Sequence, residues 1–165
     1  MIVDGSSLFF WLEKPKKGRC LVGNDRSVLV LLKPDAVQGE VWLEIIKFYE
    51  GHGFLIKQTK LMSPMPRELA EKFYIEHRDR DFYARLINFM SSGTTIALRL
   101  VGYENMELED LIERVRDLNG PTDPRQAKTG TIRCHYGGGL PDNTVHASAT
   151  PADAARELSL IFGLC

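Results

Sequence analysis

Five consecutive aliphatic residues, Val28-Leu29-Val30-Leu31-Leu32, run without a polar break and stop at Lys33-Pro34-Asp35. So short and so apolar a run reads as a strand buried on both faces, and proline, with no N–H to offer a ladder, ends it. Lys33 is then expected at the strand's exposed end. The rest of the chain has to be organised around this strand.

Periodicity supplies the neighbouring elements. Trp42, Ile45, Ile46 and Tyr49 recur at helical spacing and stop before Gly51-His52-Gly53, which predicts an amphipathic helix with a glycine terminator. A second strand is expected from about Phe54 to Met62. Between Arg67 and Ser92 two helical patterns form a hairpin, one carrying Leu69 and Phe73, the other Phe82, Leu86, Phe89 and Met90. Ile96, Leu98 and Leu100 alternate with Thr95, Ala97, Arg99 and Val101, a third strand whose second face is only partly polar. Leu108, Leu111, Ile112, Val115 and Leu118 predict a long helix closed by Gly120.

The stretch from Gly120 to Asn143 is rich in glycine and proline and reads mostly as loop. A fourth strand belongs near it, at Thr131–Tyr136 or at Asn143–Ala147, and periodicity does not choose between them. The last helix starts cleanly, with Thr150 as N-cap, Pro151 at the first helical position and Asp153 three residues after the cap. The order β-α-β, helical hairpin, β-α-β predicts an α/β (α+β) chain: a ferredoxin-like split β-α-β sandwich, its four-stranded antiparallel sheet carrying helices on one face, plus the hairpin. Residues 1–26 form an N-terminal extension to a domain at 27–165. Within the extension, Leu8-Phe9-Phe10-Trp11-Leu12 suggests a docking strand or short helix. That run is too short to span a bilayer and lacks a signal peptide's basic lead.

Charge and cysteine content exclude several functions. With 21 basic and 22 acidic residues the net charge is -1, so the chain has no global field for nucleic acid or an anionic membrane. Three widely spaced cysteines form neither a disulfide framework nor a zinc site, which makes a reducing, cytoplasmic location the expectation. The charge balance and missing ligand spacing also disfavour a ferredoxin-like RNA or metal binder.

Chemistry concentrates near the C-terminus. In Asn143-Thr144-Val145-His146-Ala147-Ser148 a histidine and a hydroxyl stand two apart, so on an extended strand they share a side. Glu157 follows eleven residues after His146, within the apolar stripe Ala154, Leu158, Ile161 of the last helix. A carboxylate there needs a partner, and an imidazole N–H would satisfy it. The ring's other nitrogen would then be a nucleophile at neutral pH, as phosphoryl transfer through histidine requires. By itself the pair also fits a core histidine satisfied by backbone.

Its company points further. From about Arg26 to Phe162, roughly five-sixths of its length, the chain resembles the nucleoside diphosphate kinase family. The resemblance is carried by Lys33-Pro34-Asp35 with Val37-Gln38, by Tyr74-Ile75-Glu76-His77-Arg78-Asp79-Arg80 with Phe82, by Gly120-Pro121-Thr122-Asp123-Pro124, and by Gly130-Thr131-Ile132-Arg133. From Arg116 through Glu157 it needs no gap.

The resemblance implies an enzyme that moves the γ-phosphate of ATP or another nucleoside triphosphate onto a nucleoside diphosphate, by a ping-pong route through a phosphohistidine. His146 would be the nucleophile, Glu157 its orienting carboxylate and Ser148 a second hydrogen-bonding neighbour. Lys33 and Asn143 would bind ribose hydroxyls, with Lys33 also stabilising charge at the transferring phosphate that Tyr74 positions. Arg80, Arg116, Thr122 and Arg133 would hold the polyphosphate, with His77 a further candidate, and Phe82 would stack on the base. Such a reaction asks for in-line positioning and cations. No GxxxxGK[ST] loop is present, so side chains must hold the phosphates, and Mg²⁺ is expected to arrive with the nucleotide because no carboxylate cage offers it a site.

The chain departs from the family's pattern at Ala149, where an aspartate is usual, at Asp81 and Thr94, where prolines are usual, and after Gln38, where an arginine is missing. These departures motivate an alternative, a catalytically weak nucleotide-binding or scaffold protein of the same fold. The resemblance also implies a homo-oligomer, a hexamer or alternatively a tetramer or dimer.

Overall fold

The computed structural model of the protein describes residues 26–103 and 106–164. The run Leu8 to Leu12 lies outside them. β1 (Val28–Leu32) matches the apolar run residue for residue, and all five side chains are fully buried. It leads into a short helix α1 (Pro34–Gln38), then α2 (Trp42–Gly51), β2 (Phe54–Met62), α3 (Arg67–Phe73), a single 3-10 turn at Ile75–His77 and α4 (Tyr83–Met90). β3 (Thr95–Gly102), α5 (Leu108–Asn119), a second 3-10 turn at Pro124–Gln126, α6 (Ile132–Tyr136), β4 (Val145–Ala147) and α7 (Pro151–Phe162) complete the chain.

The four strands form one sheet in the order β2-β3-β1-β4, with every neighbouring pair antiparallel. This is the expected α+β split arrangement. The fourth strand is the Asn143–Ala147 candidate, shortened to Val145–Ala147. Thr131–Tyr136 instead carries a helical turn: the Thr131 side chain caps it by accepting the Cys134 N–H, and Ile132 is buried beneath.

One expectation is overturned: the helices lie on both faces of the sheet. Val28, Val30 and Leu32 pack with Ile45 and Tyr49 of α2 and with Leu111, Ile112 and Val115 of α5. Leu29 and Leu31 point the other way, onto Phe73 of α3, Leu86, Ile87 and Met90 of α4, and Leu158 and Ile161 of α7. Side chains alternate across a strand, so a strand apolar at every position demands a cover on each side. The same demand corrects the reading of β3, whose second face is also buried. Arg99 is accommodated there by donating from Nε to Ser27 Oγ and from a terminal nitrogen to Gln58 Oε1, both at 3.0 Å.

Candidate active site

β4 runs antiparallel to β1 with His146 directly opposite Leu31. Opposed residues share a face, so His146 projects toward α3, α4 and α7. Phe73 and Tyr74 meet its ring edge-on, with centroids 5.0 and 6.0 Å away. Its Nε2 lies 3.0 Å from Glu157 Oε1, and the ring keeps about a fifth of its surface exposed.

Glu157 is held in place by the fold of α7. Thr150 accepts the Asp153 N–H at 3.1 Å, Pro151 takes the first position, and the helix ends at Gly163 in a left-handed conformation. That phase turns Glu157 inward to 2 % exposure. A buried carboxylate must be paired: besides His146 it receives Ser148 Oγ–H on Oε2 at 2.7 Å, and Arg156 stands 3.5 Å from Oε1. Ser148 in turn accepts the Leu29 N–H at 3.2 Å, which ties the group to β1. A carboxylate only accepts, so Nε2 carries the proton and Nδ1 keeps a lone pair. Among the described residues Nδ1 has no hydrogen-bond partner.

His146 lines a cleft of about 970 Å³. Lys33, Tyr74, His77 and Phe82 line it with His146, as do Arg116, Thr122, Arg133 and Asn143. Segments spread over the whole domain thus converge on one imidazole. Ser148 and Glu157 stand behind His146. Arg80 is exposed and does not line the cleft.

Lys33 is not at an exposed strand end. It is 6 % exposed, because the loop before β4 folds over it, and its Nζ donates to Asn143 Oδ1 and to the Pro141 carbonyl. Burial, and secondarily the Arg133 charge, lower its pKa to about 8. Asn143 completes the bridge by donating from Nδ2 to the Thr122 carbonyl at 2.7 Å. Arg133 spends three of its five N–H donors on the carbonyls of Gly120, Asn143 and Val145, which leaves two for a ligand. Tyr74 is 3 % exposed with its hydroxyl unpartnered among the described residues, and burial raises its pKa. Such an orphan is costly unless a ligand completes it.

The cleft also has walls that the sequence did not single out. Arg85 and Lys128 line it as exposed cations, and Leu140 joins Phe82 as a large apolar side chain left exposed there. Arg85 stands three residues after Phe82 on a helix already suspected of gripping nucleotide, which was a usable signal. Leu140, within a glycine-rich loop, offered none.

A family model for nucleoside diphosphate kinase matches residues 26–164. The nucleoside diphosphate kinase of Rubrobacter xylanophilus is 44% identical over 135 residues, spanning 82% of this chain and 96% of that protein. That of Methanocaldococcus jannaschii is 43% identical over 133 residues, 81% of this chain and 90% of that one. Among solved structures, the Aquifex aeolicus nucleoside diphosphate kinase superposes with a TM-score of 0.75 at 37% identity, over 82% of this chain and 94% of that one. The Halobacterium salinarum nucleoside diphosphate kinase, solved with CDP, gives 0.76 at 34% identity, over 84% and 88%.

Proposed function

The chain belongs to the nucleoside diphosphate kinase family, and from that premise we propose that it transfers phosphate through Nδ1 of His146. The observation that carries this reading is the His146–Glu157 pair at the wall of a cation-lined cleft. In the first half-reaction the Nδ1 lone pair attacks the γ-phosphorus of a nucleoside triphosphate in line with the bridging oxygen. The P–O bond breaks and the diphosphate leaves with that electron pair. In the second half-reaction a terminal oxygen of another nucleoside diphosphate attacks the phosphohistidine, and Nδ1 recovers its lone pair. Glu157 keeps the ring in the Nε2–H form and stabilises the positive charge the ring gains when phosphorylated.

Lys33, Arg116 and the two remaining Arg133 donors meet the polyphosphate, and the Tyr74 hydroxyl donates to the transferring group. Thr122 and His77 are further phosphate ligands. Asn143 and Lys33 meet the ribose. Phe82, with Leu140 as a second exposed apolar side chain lining the cleft, receives the base without reading its identity. Arg80 acts only by swinging in from outside the cleft.

Mg²⁺ comes with the nucleotide: the cleft's acidic side chains are Glu76 and Asp117, and among the described residues no three His, Cys, Asp or Glu side chains gather. Residues 27–165 form the catalytic domain, with 1–26 an extension. The location is cytoplasmic, and the chain works as a homo-oligomer, hexamer first, then tetramer or dimer. In support of assembly, β2 is an open edge of the sheet among the described residues and carries Leu55 and Leu61, 41 % and 65 % exposed. The weakly catalytic scaffold has no observation of its own in the geometry. Incubation with γ-labelled ATP is expected to leave an acid-labile, base-stable label on the protein, absent from His146→Asn. Label retained by that variant removes His146 as nucleophile.

A further inference from the structure

The loop that delivers His146 is held in an uncommon shape. Thr144 has a φ of +71°, and the Val145 N–H donates to the Asn143 carbonyl at 2.7 Å, so Asn143-Thr144-Val145 is a γ-turn of the rare, strained form. A β-branched residue resists that conformation, and it persists only where its surroundings over-determine it. Here the surroundings are the segment just after β1. The Thr144 carbonyl accepts the Lys33 N–H at 2.9 Å, and the Thr144 N–H donates to Asp35 Oδ2 at 2.8 Å. Thr144 is fully buried, so water cannot stand in for the carboxylate.

We propose that Asp35 is a positioning residue for phosphoryl transfer: by gripping the Thr144 amide it fixes the γ-turn that sets the Asn143 side chain and the His146 ring relative to Lys33. The proposal rests on the reading of Lys33, Asn143 and His146 as the transfer site, and gives Asp35 a part that reading does not contain. Both neighbours of Thr144 carry the consequence. Asn143 reaches Lys33 with its side chain on one side of the turn, and Val145 begins the strand that presents His146 on the other.

A neutral acceptor would also hold an amide, yet this one is an acid. Oδ1 of Asp35 is buried without a hydrogen-bond partner among the described residues, and burial raises the pKa of the carboxyl. That unfavourable placement has an electrostatic use. Beyond burial, the Arg133 charge opposes the Lys33 ammonium, and the Asp35 and Asp142 carboxylates favour it. Asp35 therefore both shapes the turn and helps Lys33 stay protonated beside Arg133.

The two effects separate by substitution. Asp35→Asn keeps an acceptor for the Thr144 N–H and removes the charge, Asp35→Ala removes both, and Thr144→Gly lets the turn form without an anchor. kcat/KM for ATP-to-GDP transfer is read from about pH 6 to about pH 9.5, where it reports groups of the free enzyme. Asp35→Asn is expected to stay within about twofold of the parent near pH 6.5 while its alkaline limb moves down by at least about half a unit. Asp35→Ala is expected to raise KM about tenfold, and the added Thr144→Gly to recover most of that loss.

A parental KM in Asp35→Ala, or a loss that the glycine does not relieve, overturns the positioning role, and an unmoved limb in Asp35→Asn overturns the added charge effect on Lys33. Should Asp35→Ala not fold, the double variant Asp35→Ala with Thr144→Gly decides: a KM near the parent supports the positioning role, and one about tenfold higher overturns it. His146→Asn in the same assay keeps the two readings apart. Transfer retained there refutes the nucleophile, whereas transfer lost there alongside unmoved Asp35 variants refutes only the positioning role.

Discussion

With a pKa of about 8, Lys33 is cationic at neutral pH and neutral by pH 9.5. Its folded value lies below the ordinary lysine value of 10.5, so folding releases a proton between roughly pH 8 and 10.5. The destabilisation from burying the charge, roughly 3 kcal/mol below pH 8, is relieved as pH rises through that window. Activity moves the opposite way. If the cation helps hold phosphate, kcat/KM falls as pH climbs through about 8, and a pH–rate profile flat to about pH 9.5 contradicts that role. The spacing of Lys33 after five apolar residues marked it correctly as a strand-end cation. Its burial was not legible, because the Pro141 and Asn143 groups that cover it come from 108 and 110 residues away.

Two elements show where local signals suffice and where they tie. α7 was readable from Thr150, Pro151 and Asp153 because capping is settled within four residues. The fourth strand was not, since Thr131–Tyr136 and Asn143–Ala147 both offer β-prone side chains. Pairing with β1 broke the tie. The turn between α5 and α6 depends on Gly120, at φ +77°, where an added Cβ would sit 2.7 Å from Thr131 Oγ1. The Gly120 carbonyl also receives Arg133. Gly120→Ala is therefore expected to cost about 1–3 kcal/mol and to weaken nucleotide binding, read as a lowered Tm together with a raised Kd for ADP. A variant with parental values of both would show that the turn tolerates a side chain.

For the molecule as a whole, β2 is an edge strand with no further strand paired to it among the described residues. Strand edges bearing apolar side chains invite pairing with another chain. Placing acid there through Leu55→Glu with Leu61→Glu is expected to shift the light-scattering mass toward the monomer while leaving the His146 cleft, on the opposite side of the sheet order, able to bind nucleotide. A parent protein that already scatters as a monomer at micromolar concentration removes the homo-oligomer.

Periods and caps along the chain determined three of the four strands, the longer helices and the split arrangement, because each depends on neighbours within a few positions, while the resemblance to a known family, carried by motifs intact within single segments, supplied most of the residues gathered around His146. Only the tertiary structure decided which faces the helices cover, that Lys33 is buried, that Leu140, Arg85 and Lys128 wall the cleft, and that Asp35 anchors the strained turn at Thr144. Those are contacts between segments remote in the chain, and no local pattern encodes where a distant segment will come to rest.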